Sequence, residues 1–125
     1  MSLVIKYGGN AMTDASTRAA VAAGIRRLAA AGTPPVVVHG GGPFIASALD
    51  ERGLEHGFVR GLRVTTPAAM LVVEDVLTVL GKRLAEEIGP AVGLTGRDAG
   101  LLAATVADPE LGRVGHVSAV DPAVL

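Results

Sequence analysis

Lys6 stands where a lysine could do chemistry. It sits in the β-favouring, largely apolar run Leu3-Val4-Ile5-Lys6-Tyr7, which stops at the pair Gly8-Gly9. A lysine at the end of a strand expected to be buried costs free energy unless an anion offsets it. The chain has two lysines, Lys6 and Lys82, against nine arginines, so the residue type itself reads as selected. Gly8 and Gly9 allow a ligand to approach bare backbone N–H groups, and a helix is expected soon after. Strand, cation, glycine turn and helix N-terminus together make an anion site, with a phosphate as the natural guest. The other reading is a solvated lysine followed by an ordinary Gly-Gly turn, and this segment alone does not choose between them.

A second loop of the same kind is His39-Gly40-Gly41-Gly42, placed after a buried apolar strand and before a helix. A lone glycine-rich loop is more often a turn than a ligand site. Two at equivalent positions, at the carboxyl edge where open α/β sheets bind ligands, favour an anion site that suits a carboxylate or a phosphate in transfer. Arg63, in Gly61-Leu62-Arg63-Val64-Thr65, has a fork that can hold a carboxylate through two parallel hydrogen bonds. Spacing alone favours a surface arginine on an alternating strand. His39, beside a glycine turn, reads as a hydrogen-bonded structural group rather than a base. His56 and His116 are isolated and lack metal-ligand spacing, so no metal-ligating residue is identified. Asp98 reads as the cap of the turn between Gly96 and Gly100.

These residues must be positioned by an alternation of strands and helices, the pattern of a mainly parallel α/β sheet. After strand 3–7, Asp14 or Ser16 caps a helix running to about Ala31, with Val21, Ile25 and Leu28 at helical spacing and Gly32 as its stop. Pro34-Pro35 introduces the buried parallel strand Val36-Val37-Val38-His39. A second helix spans roughly 43–52 and ends at Gly53. Segments 57–60 and 62–65 form a hairpin around Gly61. Thr66-Pro67 opens a long helix, with Met70, Val73, Leu77, Leu80, Leu84 and Ile88 on its inner face, Gly81 as a weak point and Gly89-Pro90 at its end. Ala91 to Thr95 reads as a third parallel strand. Leu101 to Val106 and Val114 to Val120 form a further hairpin that turns at Asp108 to Gly112. Asp121-Pro122 is a helix start, and the chain halts three residues later, so the expectation is a part of a larger protein.

A chain of 125 residues with 50% hydrophobic content suits one domain with an ample core. A net charge of −1, with one Tyr, two Phe and no Trp, gives neither a nucleic-acid footprint nor a stacking platform. The absence of cysteine excludes disulfides, thiol nucleophiles and Cys-ligated zinc, and accords with a cytoplasmic protein. No apolar run approaches the ~18 residues of a membrane span, so no membrane partner is expected.

Five segments then carry a family resemblance: Lys6-Tyr7-Gly8-Gly9-Asn10-Ala11, His39-Gly40-Gly41-Gly42-Pro43, Gly61-Leu62-Arg63-Val64-Thr65, Gly93-Leu94-Thr95-Gly96-Arg97-Asp98 and Gly112-Arg113-Val114-Gly115. In this order they resemble the N-terminal half of the N-acetylglutamate kinases, within the amino acid kinase family, over essentially the whole chain. The first two are shared in form by carbamate kinases, aspartokinases and glutamate 5-kinases; the third and fourth discriminate. The resemblance implies a three-layer αβα sandwich, with a mainly parallel sheet plus hairpins, that phosphorylates the side-chain carboxylate of N-acetyl-L-glutamate from ATP with Mg2+ in arginine biosynthesis. It also implies roles for single residues. Lys6 is catalytic and stabilises the transferring phosphoryl group. The N–H groups of Gly8 and Gly9 belong to the phosphate region, Gly41 and Gly42 hold the substrate, and Arg63 takes its α-carboxylate.

Departures from the family pattern are specific. Ala99 stands where the family usually has glycine, the long helix is joined tersely to the strand expected after it, and an Asn-Lys pair often seen in that helix is absent. By the resemblance, residues 1–125 are expected to be the substrate-binding lobe, with the nucleotide-binding lobe absent. With it go a second phosphate-clamping lysine, an aspartate that organises the glycine loops and an asparagine that contacts substrate. The isolated chain is therefore expected to be inactive. The other readings are a kinase of the same fold for another carboxylate or carbamate, and a non-catalytic half-domain that binds a small anion. Arginine-inhibited relatives carry an extra N-terminal helix that builds a hexameric ring. With the first strand at about Leu3, the expectation here is an arginine-insensitive homodimer. Leu71, Val72, Val76 and Val79 of the long helix are expected to serve its interface.

Overall fold

The computed structural model describes residues 2–125. Strands β1 (Val4–Tyr7) and β2 (Val36–His39) pair in parallel, with Val4 opposite Val36, Lys6 opposite Val38 and Tyr7 opposite His39. The two-residue period of a strand sorts these side chains. Ile5, Tyr7 and Val37 enter a core with Met12, Ala22, Ile25, Leu80, Leu84 and Ile88. Val4 and Val38 lie on the other face and are 61% and 51% exposed. Lys6 shares that open face and is exposed, so the strand end is not the buried position that its apolar neighbours suggested.

Helix α1 (Ala15–Ala30) starts at Asp14 rather than Ser16. The Asp14 carboxylate accepts from the Thr17 N–H and from the Ser16 hydroxyl, each at 2.7 Å, so the second candidate cap serves the first. Helix α2 (Gly42–Glu51) follows the second glycine loop. Strands β3 (Gly57–Val59) and β4 (Leu62–Val64) form the expected hairpin. Its two connecting residues, Arg60 and Gly61, have φ of 50° and 77°, the type I′ pattern that matches strand twist. Helix α3 (Pro67–Ile88) has the bounds its sequence signals gave, with the Thr66 hydroxyl accepting from the Ala69 N–H.

α3 joins two clusters. Its first half packs Ala69 and Val72 against Ile45 and Leu49 of α2, its second half packs Leu80, Leu84 and Ile88 against β1 and α1, and Val76 touches both. The buried stripe therefore runs one position away from the expected one early in the helix. Ala69 and Val72 are buried there, whereas Met70 and Val73 are only half-buried.

Residues 91–95 do not form the third parallel strand. Apolar residues specify burial, but a strand needs facing N–H and C=O groups, and this segment finds none among the described residues. It runs against α3 instead: a methyl group on Gly93 would lie 2.7 Å from the Gly81 carbonyl carbon. Gly81, a weak point by helix propensity, is thus the place where two backbones meet. Strands β5 (Leu102–Val106) and β6 (Gly115–Val120) form the last hairpin. Its turn is tied to the end of β4, because the Thr65 N–H donates to the Leu111 carbonyl at 2.9 Å and the Arg113 N–H to the Thr65 carbonyl at 2.7 Å. Asp121 caps a short turn over Pro122–Val124. The class is α/β, with a parallel pair and hairpins, as the alternation implied. No described helix is long and apolar enough to cross a membrane.

Candidate functional site

The two glycine loops touch, backbone against backbone. Tyr7 ends β1 with its carbonyl accepting from the Gly40 N–H at 2.8 Å, which carries the parallel ladder one step into the second loop. A methyl group on Gly9 would lie 2.8 Å from the Gly41 amide nitrogen and 3.0 Å from that of Gly42. One on Gly40 would lie 2.8 Å from the Gly9 nitrogen. Gly41 is buried under α3, where a methyl would press on Leu77 at 2.9 Å and Leu80 at 3.1 Å. Gly9 and Gly40, whose neighbours are backbone, are therefore required by close approach, independent of any ligand, whereas the neighbours of Gly41 are side-chain ends that can shift.

Gly8 and Gly42 differ. Neither has another atom within 4 Å of where a side chain would begin. Their open side is space into which a ligand can come. No side chain caps the 3-10 turn Gly9–Met12 or α2 at its N-terminus. In the 3-10 turn the Ala11 N–H is used by the Gly8 carbonyl, and in α2 Pro43 has no N–H; the other N–H groups at the start of α2 are left for an outside acceptor. Lys6 stands two residues before Gly8 on the exposed side of β1. The arrangement can hold an anion between two sets of amide donors with a solvated cation beside it.

Arg63 stands apart from the loops, on β4. Its guanidinium carbon lies 4.6 Å from the centre of the Phe58 ring, its cross-strand neighbour. Its Nη1 lies 2.7 Å from His56 Nδ1, and His56 Nε2 lies 2.9 Å from Asp50 Oδ1, on the last turn of α2. Beside this chain lies an open cleft of about 730 Å3, lined by Asp50, Leu54, His56, Val64 and Thr66 among others. It lies toward the C-terminal end of α2, away from the glycine loops. Nothing in the sequence signalled the His56 contacts, since its partners lie six and seven residues away with no helical or strand spacing to relate them.

The remaining polar candidates have structural partners. His39 is half-buried, with Nδ1 2.8 Å from the Gly40 carbonyl oxygen, a local hydrogen bond at the loop. Asp98 caps its turn, accepting from the Thr95 N–H at 2.6 Å and the Thr95 hydroxyl at 3.1 Å. These two bonds, the backbone one foremost, hold its carboxyl below the usual aspartate range. No group of three or more His, Asp or Glu that could hold a metal lies together among the described residues.

Known proteins share this chain's pattern. The family model described as the amino acid kinase family matches residues 1–125. A Deinococcus radiodurans protein named acetylglutamate kinase is 54% identical over 123 residues, covering 98% of this chain and 49% of that protein. One of the same name from Jannaschia sp. is 48% identical over 128 residues, covering 98% of this chain and 45% of that protein. The chain spans about half the length of the curated relatives it matches. Among solved structures, smu.665 from Streptococcus mutans UA159 superposes with a TM-score of 0.85 at 30% identity, over 98% of this chain and 51% of that one. N-acetylglutamate synthase from Neisseria gonorrhoeae, at 21% identity and a TM-score of 0.75 over 98% of this chain and 31% of that one, shares the fold alone.

Proposed function

This chain belongs to the amino acid kinase family, and from that premise we propose that it is the substrate-binding lobe of a cytoplasmic acetylglutamate kinase of arginine biosynthesis. The reading is carried by one observation: two glycine loops interlocked at the end of a parallel strand pair, each leaving one glycine open to a ligand. The named relatives, 48% and 54% identical across nearly the whole chain, support the choice of acceptor.

The reaction asks little covalent chemistry of the protein. A side-chain carboxylate oxygen of N-acetyl-L-glutamate attacks the γ-phosphorus of ATP. A new O–P bond forms as the bond to the β–γ bridging oxygen breaks, and ADP leaves with that electron pair. The attacking group is already ionised, so no general base is required, which accords with the structural role of His39. Catalysis rests on bringing two anions into line and neutralising charge that spreads over the equatorial oxygens. In this proposal the amides of Gly8 and Gly9 face the phosphoryl group and those of Gly41 and Gly42 hold the acceptor. Lys6 follows the charge as it develops, and its solvated position leaves its side chain free to do so. Arg63 takes the α-carboxylate, which does not react. Mg2+ is expected to come with the triphosphate, and no residue of this chain is assigned to it.

Assembly belongs to the same proposal. Of the four residues expected at a dimer interface, Val72 is buried and Val76 packs inside the chain. Leu71 and Val79, 67% and 45% exposed, remain for a two-fold contact along α3. Turnover is the test of function. An enzyme that pairs this lobe with a nucleotide lobe should release ADP only when N-acetylglutamate is present, and this chain alone should release none. ADP release with another carboxylate or carbamate in preference would sink the choice of substrate.

A further inference from the structure

We propose that His56, braced by Asp50, is a positioning residue that fixes the guanidinium of Arg63 with a fork free for a carboxylate. The inference rests on the substrate reading above and extends it to a residue outside the family-like motifs.

The chemistry of the partners fixes the proton. A guanidinium only donates, so the 2.7 Å contact requires His56 Nδ1 to accept from Arg63 Nη1. The ring is then neutral with its proton on Nε2, which donates to Asp50 Oδ1 at 2.9 Å. Asp50 sets the tautomer, and the tautomer sets the acceptor. The His56 side chain is 18% exposed, so this acceptor is largely shielded from competing water, whereas Asp50, at 74%, is open to solvent. The Arg63 guanidinium carbon lies over the Phe58 ring, 4.6 Å from its centre. A ring below and an acceptor at one edge remove most of the rotational freedom of a long side chain.

Arg63 is left with donors to spare. Guanidinium has five N–H groups, and His56 takes one. A bidentate carboxylate needs two. The held geometry therefore lowers the ordering cost of substrate capture without consuming the recognition edge. The brace also links α2 to the hairpin. α2 begins at the Gly41–Gly42 loop, assigned to one carboxylate of the acceptor, and carries on its last turn Asp50, which through His56 fixes the residue assigned to the other.

The test uses the 125-residue chain with 15N-labelled histidine and arginine. His56 should give Nδ1 as a lone-pair nitrogen and Nε2 as a protonated one. In His56→Ala the Arg63 guanidinium should lose order, and the Kd for N-acetylglutamate should rise on the order of tenfold with the melting temperature unchanged. His56→Gln, which offers a carbonyl to Arg63 and an amide N–H to Asp50, should recover most of the loss. In an Arg63→Ala background, His56→Ala should add nothing. A protonated Nδ1, or an unchanged Arg63 and Kd in His56→Ala, overturns the proposal. Wild-type chain that binds no N-acetylglutamate counts against the substrate reading instead. The brace is then judged by the tautomer and by the order of the Arg63 guanidinium, which need no ligand.

Discussion

Gly9 and Gly41 approach so closely that a methyl group on Gly9 would stand 2.8 Å from the Gly41 amide nitrogen. The neighbour is backbone, held on one side by the β1–β2 ladder and on the other by α2, so it cannot swing away as a side chain would. The same contact that packs the molecule also sets the spacing of the amide donors in the two loops.

Gly9→Ala should therefore destabilise the chain by roughly 1–3 kcal/mol, the usual cost of overpacking, and abolish anion binding. Gly8→Ala makes the contrast. Gly8 has extended φ and ψ of −68° and 144° and open space around it, so its stability should stay near wild type while ligand binding weakens. Chemical denaturation together with a phosphate or N-acetylglutamate titration reads both. Equal stability loss in the two variants would show that the close approach is not what the glycines serve.

Lys6→Arg, in an enzyme carrying both lobes, should lower kcat by about a hundredfold or more with little change in either KM, the signature of a lost transition-state contact. The guanidinium keeps the charge but presents it as a broad, rigid fork where a compact ammonium is expected. A near-normal kcat would remove Lys6 from the mechanism.

Arg63→Ala should act differently, because the group it is proposed to hold does not change charge during the reaction. Uniform binding is lost, so the KM for N-acetylglutamate should rise while kcat and the KM for ATP hold. Parallel rises in both KM values would assign Arg63 to the support of the hairpin.

The sequence signals that succeeded were local. α3 has its expected bounds because Thr66-Pro67 and Gly89-Pro90 are chemical punctuation at its two ends, and the β3–β4 turn follows from the backbone freedom of Gly61. The failures needed knowledge of a neighbour. The run at residues 3–7 reads as a buried strand, yet strand alternation sends Lys6 to the open side with Val4 and Val38. Residues 91–95 had the composition of a strand but no strand partner among the described residues. The glycine loops were legible as loops that follow β1 and β2, but their mutual contact was not, nor was the His56–Arg63 bond, since both are juxtapositions in space.

Ala99 has φ 51° and ψ 24°, inside the left-handed region, and is followed by Gly100 at φ 67°. The left-handed backbone there suits glycine better than alanine. Removing Cβ relieves about 1–2 kcal/mol of local clash, less the ~0.4–1 kcal/mol by which glycine favours the unfolded chain. Ala99→Gly should thus stabilise by about 0.5–1 kcal/mol and raise Tm by a few degrees. A fall in Tm would mean that the Ala99 methyl makes packing contacts that outweigh its strain.

Asp14 gives the last expectation, a pH dependence with a defined sign. Hydrogen bonds from the Ser16 hydroxyl, foremost, and from Thr17 hold its carboxyl down from the ordinary 3.8 to about 2 in the folded chain. A group whose folded value is depressed stabilises the fold fully above its unfolded value and loses that contribution as pH falls through the folded one. The cap on α1 should accordingly be intact above pH 4 and fade between about pH 4 and pH 2. Asp14→Asn keeps a capping oxygen but has no charge to lose, so it should flatten the stability profile in that window while leaving the helix capped at neutral pH. Stability measured by denaturation from pH 7 down to pH 2 decides the matter. A variant profile that falls as steeply as wild type would place the acid sensitivity elsewhere, with Asp98, whose carboxyl Thr95 also holds down, as the next group to replace.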